Sequence, residues 1–184
     1  MTQLVVFLRA INVGGHNVKM DRLRTLVAGY GFNAVETFIA SGNVILDSGR
    51  YGAQTVEKVL ERGLEKDLGY PVATFARSTA ELAQIVAAQP FLGAPGRYYV
   101  TFLKHAPTAA SREHLLALRS EIDDFAVAGR ELHWLVREGF ESLLTGAQFE
   151  RAAAGPGTTR NISTVRKLAA KYPLSEPEVY GAQP

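Results

Sequence analysis

Two apolar periodicities alternate through the first 77 residues, and their order restricts the fold more than any other property of this chain. Residues 4–10 (LVVFLRA) form a short, nearly continuous apolar run, the pattern of a buried strand. Met20, Leu23, Leu26, Val27 and Tyr30 then recur at helical spacing, and Gly31 offers a C-terminal stop. Residues 35–40 and 43–47 are β-rich runs parted by Gly42 and its neighbours, which reads as a hairpin. A helix follows over about 53–68, turning Val56, Val59, Leu60, Leu64 and Leu68 inward and a mixed-sign charged face outward. Residues 71–76 (PVATFA) supply the next strand. The order β-α-β-β-α-β is the split βαβ, or ferredoxin-like, arrangement.

The order then recurs. Ser78-Thr79-Ala80-Glu81 is a capping box opening a short helix that Pro90 stops, and residues 90–96 have linker chemistry. Residues 97–103 (RYYVTFL) alternate as a strand, residues 109–120 form a helix, and residues 124–128 and 131–137 are strands around Gly129-Arg130. Thr145 and Gln148 make a second capping box, with Leu144 and Phe149 placed for a hydrophobic staple. A last helix, about 161–172, has Ile162, Val165, Leu168 and Ala169 on its apolar side. The expected fold is α+β: two ferredoxin-like lobes with antiparallel sheets, over residues 1–90 and 97–184, the second with an extra C-terminal helix. The interface between them should bury both hairpins or both sheets.

Composition excludes several chemistries. The chain has no cysteine, so disulfides, thiolate nucleophiles and cysteine-ligated zinc or iron–sulfur sites are ruled out. The apolar stretch at the N-terminus, Leu4 to Leu8, is shorter than a secretory signal requires. No run approaches the ~20 apolar residues of a membrane helix. A cytoplasmic location is the expectation. Charge is uneven: residues 1–35 and 151–184 each carry a net +3, and residues 36–150 carry −4. If the basic ends converge, that face would attract phosphate or nucleic acid.

Three separated segments, LRAINVGGHN (8–17), SGNVILDS (41–48) and TTRNISTVRKL (158–168), resemble the DUF1697 family, a bacterial domain of unknown function. The intervening KMDRLRTLVAGYGF and Pro90-Phe91 fit the same pattern. The resemblance implies a cytosolic α+β protein of paired ferredoxin-like lobes. It brings no biochemical activity with it. The chain departs from the family pattern at three positions: Ala10 stands where glycine is usual, Leu143 where lysine is common, and Ile162 where tryptophan is common.

Two segments that lead into helices carry the candidate ligand chemistry, the first of them a strand-to-helix junction. In the first, Gly14 and Gly15 permit close backbone approach, Asn17 is placed to cap the next helix, and Arg9, Asn12, His16 and Lys19 add cations and donors. A turn that needs glycine for geometry alone competes evenly with an anion site there. In the second, Thr158, Thr159, Arg160 and Asn161 precede the last helix, where hydroxyls, an amide and a guanidinium suit an anion, or simply a helix cap. Ser41-Gly42-Asn43 reads as hairpin chemistry, expected at the opposite strand ends from Gly14.

No P-loop, GxSxG elbow, HExxH or His-x-His motif occurs, and Asp123-Asp124 reads as a turn. No metal site is expected, and the sequence identifies neither a catalytic residue nor a cofactor. The leading expectation is a protein binding a small anionic or phosphorylated ligand at the first strand–helix loop. The alternatives are nucleic-acid binding through the basic termini and a plain interaction module. An RNA-recognition platform is disfavoured because Asn43-Val44-Ile45-Leu46-Asp47 has no stacking aromatic.

Overall fold

The computed structural model describes residues 2–12, 15–39 and 42–173. Strands β1 (Gln3–Leu8), β2 (Asn33–Thr37), β3 (Asn43–Asp47) and β4 (Thr74–Ser78), with helices α1 (Met20–Gly29) and α2 (Ala53–Leu68), form one antiparallel sheet in the order β2-β3-β1-β4. Helix α3 (Thr79–Ala88) leads to a second set: β5 (Gly96–Leu103), α4 (Ala109–Leu116), β6 (Asp123–Ala128), β7 (Glu131–Arg137), α5 (Gly146–Ala153) and β8 (Gly157–Asn161). Its sheet has the equivalent order β6-β7-β5-β8. Helix α6 (Ile162–Lys171) ends the described chain. Both halves are therefore βαββαβ lobes.

Strand alternation divides the interior into three cores. Leu4, Val6 and Leu8 of β1 face α1 and α2. Val5 and Phe7 face the other way and join Ile45, Phe75, Val100 and Phe102 between the two sheets, where α3 and α6 also pack. The rings of Phe7 and Phe102 stack at 3.9 Å. A third core under α4 and α5 holds Leu103, Leu115, Phe125, Leu132 and Phe149. The lobes thus bury their sheets against each other, and ion pairs reinforce the contact. Arg77 on β4 is fully buried; its Nε donates to Glu131 of β7 at 2.6 Å and its Nη2 to the Leu103 carbonyl at 2.8 Å. Lys104 bridges Glu57 and Glu61 of α2 at 3.0 and 2.5 Å.

Four local expectations are corrected. Residues 157–161 form an edge strand, pairing Thr101 with Thr159 and Val100 with Arg160, rather than an irregular approach to the last helix. The segment lacks apolar alternation because its inward side chain, Arg160, is satisfied by hydrogen bonds instead of apolar packing. Helix α4 stops at Leu116 instead of residue 120. There the Ser120 hydroxyl accepts from the Ile122 and Asp123 amides, and such local turn bonds compete with helix. Asn17 does not cap α1; the cap position is Lys19, with no side-chain cap bond. Finally, the β2–β3 hairpin lies at the exit end of β1, not the opposite end. Both β1 and β2 run antiparallel to β3, so Phe7 faces Asn43 and the Leu8 amide donates to the Gly42 carbonyl at 2.7 Å.

Candidate functional site

The three signature segments meet around one guanidinium. From β8, Arg160 reaches across the lobe interface. Its Nε donates to Asn43 Oδ1 at 2.7 Å and its Nη2 to the Leu8 carbonyl at 2.8 Å and, more weakly, to that of Gly42 at 3.4 Å. Its Nη1 turns back to the Thr158 hydroxyl and the Thr159 carbonyl, at 2.8 and 2.9 Å. The same group lies 5.6 Å from the centre of the Phe7 ring. Burial pushes its pKa down to about 10, which leaves it charged at neutral pH. Asn43 is itself fully buried and donates through Nδ2 to the Phe38 carbonyl at 2.9 Å. Arg160 is therefore a clamp that fixes the ends of β1 and β3 against β8.

Glycine at position 42 is a condition of that junction. Its φ is +72°, and a Cβ there would meet Ile11 Cγ2 at 2.9 Å and Leu8 Cβ at 3.3 Å. Gly14 and Ser41 lie outside the described residues. Within the described part of the β1–α1 loop, Asn12 Oδ1 accepts from the Val18 amide at 2.7 Å. The Tyr70 hydroxyl donates to the Ile11 carbonyl at 3.0 Å, and its ring stacks on His16 at 3.7 Å. Gly15 takes a φ of +88° in open space, and His16 and Lys19 are exposed. Asn161 is the N-cap of α6, its Oδ1 accepting from the Ser163 amide at 2.8 Å.

Beside the clamp is a cavity of about 210 Å³ in the second lobe, between its sheet and one face of α5. Arg9 and Thr159, drawn from the first and third signature segments, both line it. Thr101 and Glu150 add polar wall, and Leu115, Leu132 and Phe149 add apolar wall. Gly155 and Gly157 complete the lining, and a Cβ at Gly157 would meet Thr101 Cγ2 at 2.9 Å. The Arg9 guanidinium leaves its own lobe to pair with Glu150 at the rim, where the two side chains are 35% and 36% exposed. The Thr101 and Thr159 hydroxyls are hydrogen-bonded to each other at 2.8 Å. One bond uses only one of their two hydroxyl hydrogens, so the pair retains a donor.

Of the nine residues singled out in the sequence, Arg9 and Thr159 thus share this cavity, and Arg160 stands behind it as scaffold. Asn12, Gly15, His16, Lys19 and Asn161 are not among its walls. Glu150 and Thr101 escaped sequence reasoning, and Asn43 reads there as hairpin chemistry rather than as a partner of Arg160. The capping box at Thr145 located α5, but nothing along the chain couples residue 9 to residue 150. Among the described residues, three basic side chains of the terminal segments are engaged elsewhere: Arg9 pairs with Glu150, Arg160 is partly buried in the interface, and Lys171 pairs with Glu36 at 2.8 Å. Among the described residues, no group of three or more His, Asp or Glu is placed to hold a metal ion. No helix among them is long and apolar enough to cross a membrane.

The departures from the family pattern fall in different surroundings. Leu143 is 88% exposed on the loop before α5, and Ile162 is buried in the core between the sheets. Ala10 adopts a left-handed φ of +52°, the conformation for which glycine is the favoured residue.

No curated protein matches the chain. Among solved structures, the conserved bacterial protein SP0830 from Streptococcus pneumoniae superposes with a TM-score of 0.71 at 19% identity. The match covers 93% of this chain and 98% of that one and establishes the likeness of fold. The family model described as "Protein of unknown function (DUF1697)" matches residues 1–133, which include the first two signature segments and stop short of the third. The chain therefore belongs to the DUF1697 family.

Proposed function

We propose that the protein binds a small molecule through an anionic group, in the cavity beside the exit of β1. The observation that carries this reading is that Arg9 and Thr159, 150 residues apart, line one cavity. Arg9 supplies the fork geometry that matches a carboxylate or phosphate. The Thr101–Thr159 pair supplies a neutral donor, and the apolar wall accommodates the body of the ligand. This is the usual constitution of a small-molecule site, mostly apolar with a few placed polar groups. Arg160 contributes by holding β1 and β8 in register rather than by contacting the ligand.

Thermal-shift measurements against carboxylates, inorganic phosphate and phosphorylated metabolites test the proposal. A ligand at a hundred times its dissociation constant adds about 2.7 kcal/mol, or roughly 5–10 °C for a chain of this size. The expected result is a shift with at least one anion that Arg9→Ala abolishes. A shift that survives Arg9→Ala, or none with any anion, contradicts it.

A further inference from the structure

The wall of the cavity carries one cation and one anion, and that pairing narrows the ligand. Arg9 does not wait unpaired; it is bonded to Glu150, which lies on the same face of α5 as Gly146, Phe149 and Ala153. Arg9 reaches Glu150 through Nη2, so a simple anion that takes the other guanidinium donors, or displaces Glu150, comes to rest next to that carboxylate. Two negative charges then share one cation in a partly desolvated site. A doubly charged phosphate meets this repulsion most strongly. A ligand with its own cation next to its anion avoids the conflict. Its anionic end takes Arg9, its cationic end takes Glu150, and no charge is left without a partner.

We infer that the cavity recognises a zwitterion, specifically a free α-amino acid with an apolar side chain. This rests on the binding reading above and narrows it. The geometry suits that class in three respects. An α-amino acid carries ammonium and carboxylate on one carbon, as close together as the Arg9 and Glu150 groups that would receive them. The Thr101–Thr159 pair, with Thr101 only 3% exposed, offers the carboxylate a second donor. Beyond these groups the walls are Leu103, Leu115, Leu132 and Phe149, which suit an aliphatic or aromatic side chain and no further charge. A volume near 210 Å³, the space of about seven water molecules, matches an amino acid rather than a nucleotide.

The test compares three molecules sharing one carbon skeleton by isothermal titration calorimetry on the full chain. L-leucine has both charges, 4-methylpentanoate lacks the ammonium, and 3-methylbutylamine lacks the carboxylate. The expected result is that the wild-type protein binds L-leucine at least tenfold more tightly than either of the others. Glu150→Gln removes the neighbouring negative charge, so it should weaken L-leucine and strengthen 4-methylpentanoate, reversing or erasing the preference. Arg9→Gln should weaken both carboxylates. If 4-methylpentanoate binds the wild-type protein as tightly as L-leucine and Glu150→Gln leaves the ratio unchanged, the zwitterion inference falls and the anion site stands. If none of the three binds the wild-type protein or Glu150→Gln, while phosphate or another anion still gives an Arg9-dependent shift, the inference again falls alone. If no anion binds at all, both readings fall. Circular dichroism of each variant checks that it has folded.

Discussion

At the scale of single residues, three side chains show how far type and position can be read without coordinates. Ala10 occupies a left-handed backbone position that costs an L-residue about 1–2 kcal/mol relative to glycine. Glycine returns about 0.4–1 kcal/mol of that as unfolded-chain entropy. Ala10→Gly is therefore expected to stabilise the protein by about 0.5–1 kcal/mol, measured by urea denaturation; destabilisation would mean that the backbone is not strained there. His133 is buried on β7, with Nδ1 bonded to the Tyr98 hydroxyl and Nε2 without a partner among the described residues. Burial pushes its pKa from 6.5 down to about 4. Between those values the unfolded chain binds a proton that the folded chain does not. Stability from this group is thus present above pH 6.5 and lost as pH falls, by about 3 kcal/mol near pH 4. Denaturation at several pH values should show a steeper acid loss for the wild-type protein than for His133→Leu; equal slopes would contradict the assignment. Arg160 illustrates the limit of sequence reading. Its importance was legible from its place before a helix beside Thr159 and Asn161, but its partners, Leu8, Gly42 and Asn43, lie more than a hundred positions away.

At the scale of elements, apolar periodicity was legible wherever a segment buries an apolar face, and misleading where polar groups do the same work. Helix α2 buries Val56, Leu60 and Leu64 as the pattern requires, but Val59 is exposed and Glu57 is buried in its stead, held by the Ala76 amide and Lys104; the capping boxes of α3 and α5 stand where the pattern puts them. Strand β8 was hidden because it is a polar edge strand: Thr159 turns to the cavity and Arg160 to the interface. The end at which the β2–β3 hairpin lies follows from strand direction rather than composition. It brings Gly42 beside Leu8 and so creates the clamp. Between β4 and β7, the Arg77–Glu131 pair replaces apolar packing across the lobes. Removing one partner strands a buried charge, so Arg77→Ala should cost about 3–5 kcal/mol. The double variant Arg77→Met/Glu131→Leu should cost clearly less than the two single changes together. Additive losses in a double-mutant cycle by chemical denaturation would show that the two charges are not coupled.

At the scale of the molecule, the recurrence of element order was enough to read two ferredoxin-like lobes, and the sheet-to-sheet packing around Phe7 and Phe102 completes that picture. The site was only half legible. Its cation and one hydroxyl were visible in the signature segments, whereas the cavity gains that cation only because Arg9 of one lobe crosses to α5 of the other. The proposed ligand chemistry depends on that crossing, and no single stretch of chain contains it. We propose this crossing as the place where the protein binds its ligand. The most direct measurement is an amide chemical-shift map of the isotopically labelled protein titrated with L-leucine. Saturable perturbations should centre on Arg9, Thr101, Phe149, Glu150 and Thr159, with the outer groove lined by Tyr30, Lys58 and Arg62 unmoved. Perturbations centred on that outer groove would contradict it, as would no saturable change around Arg9 and Glu150 with either L-leucine or a simple anion.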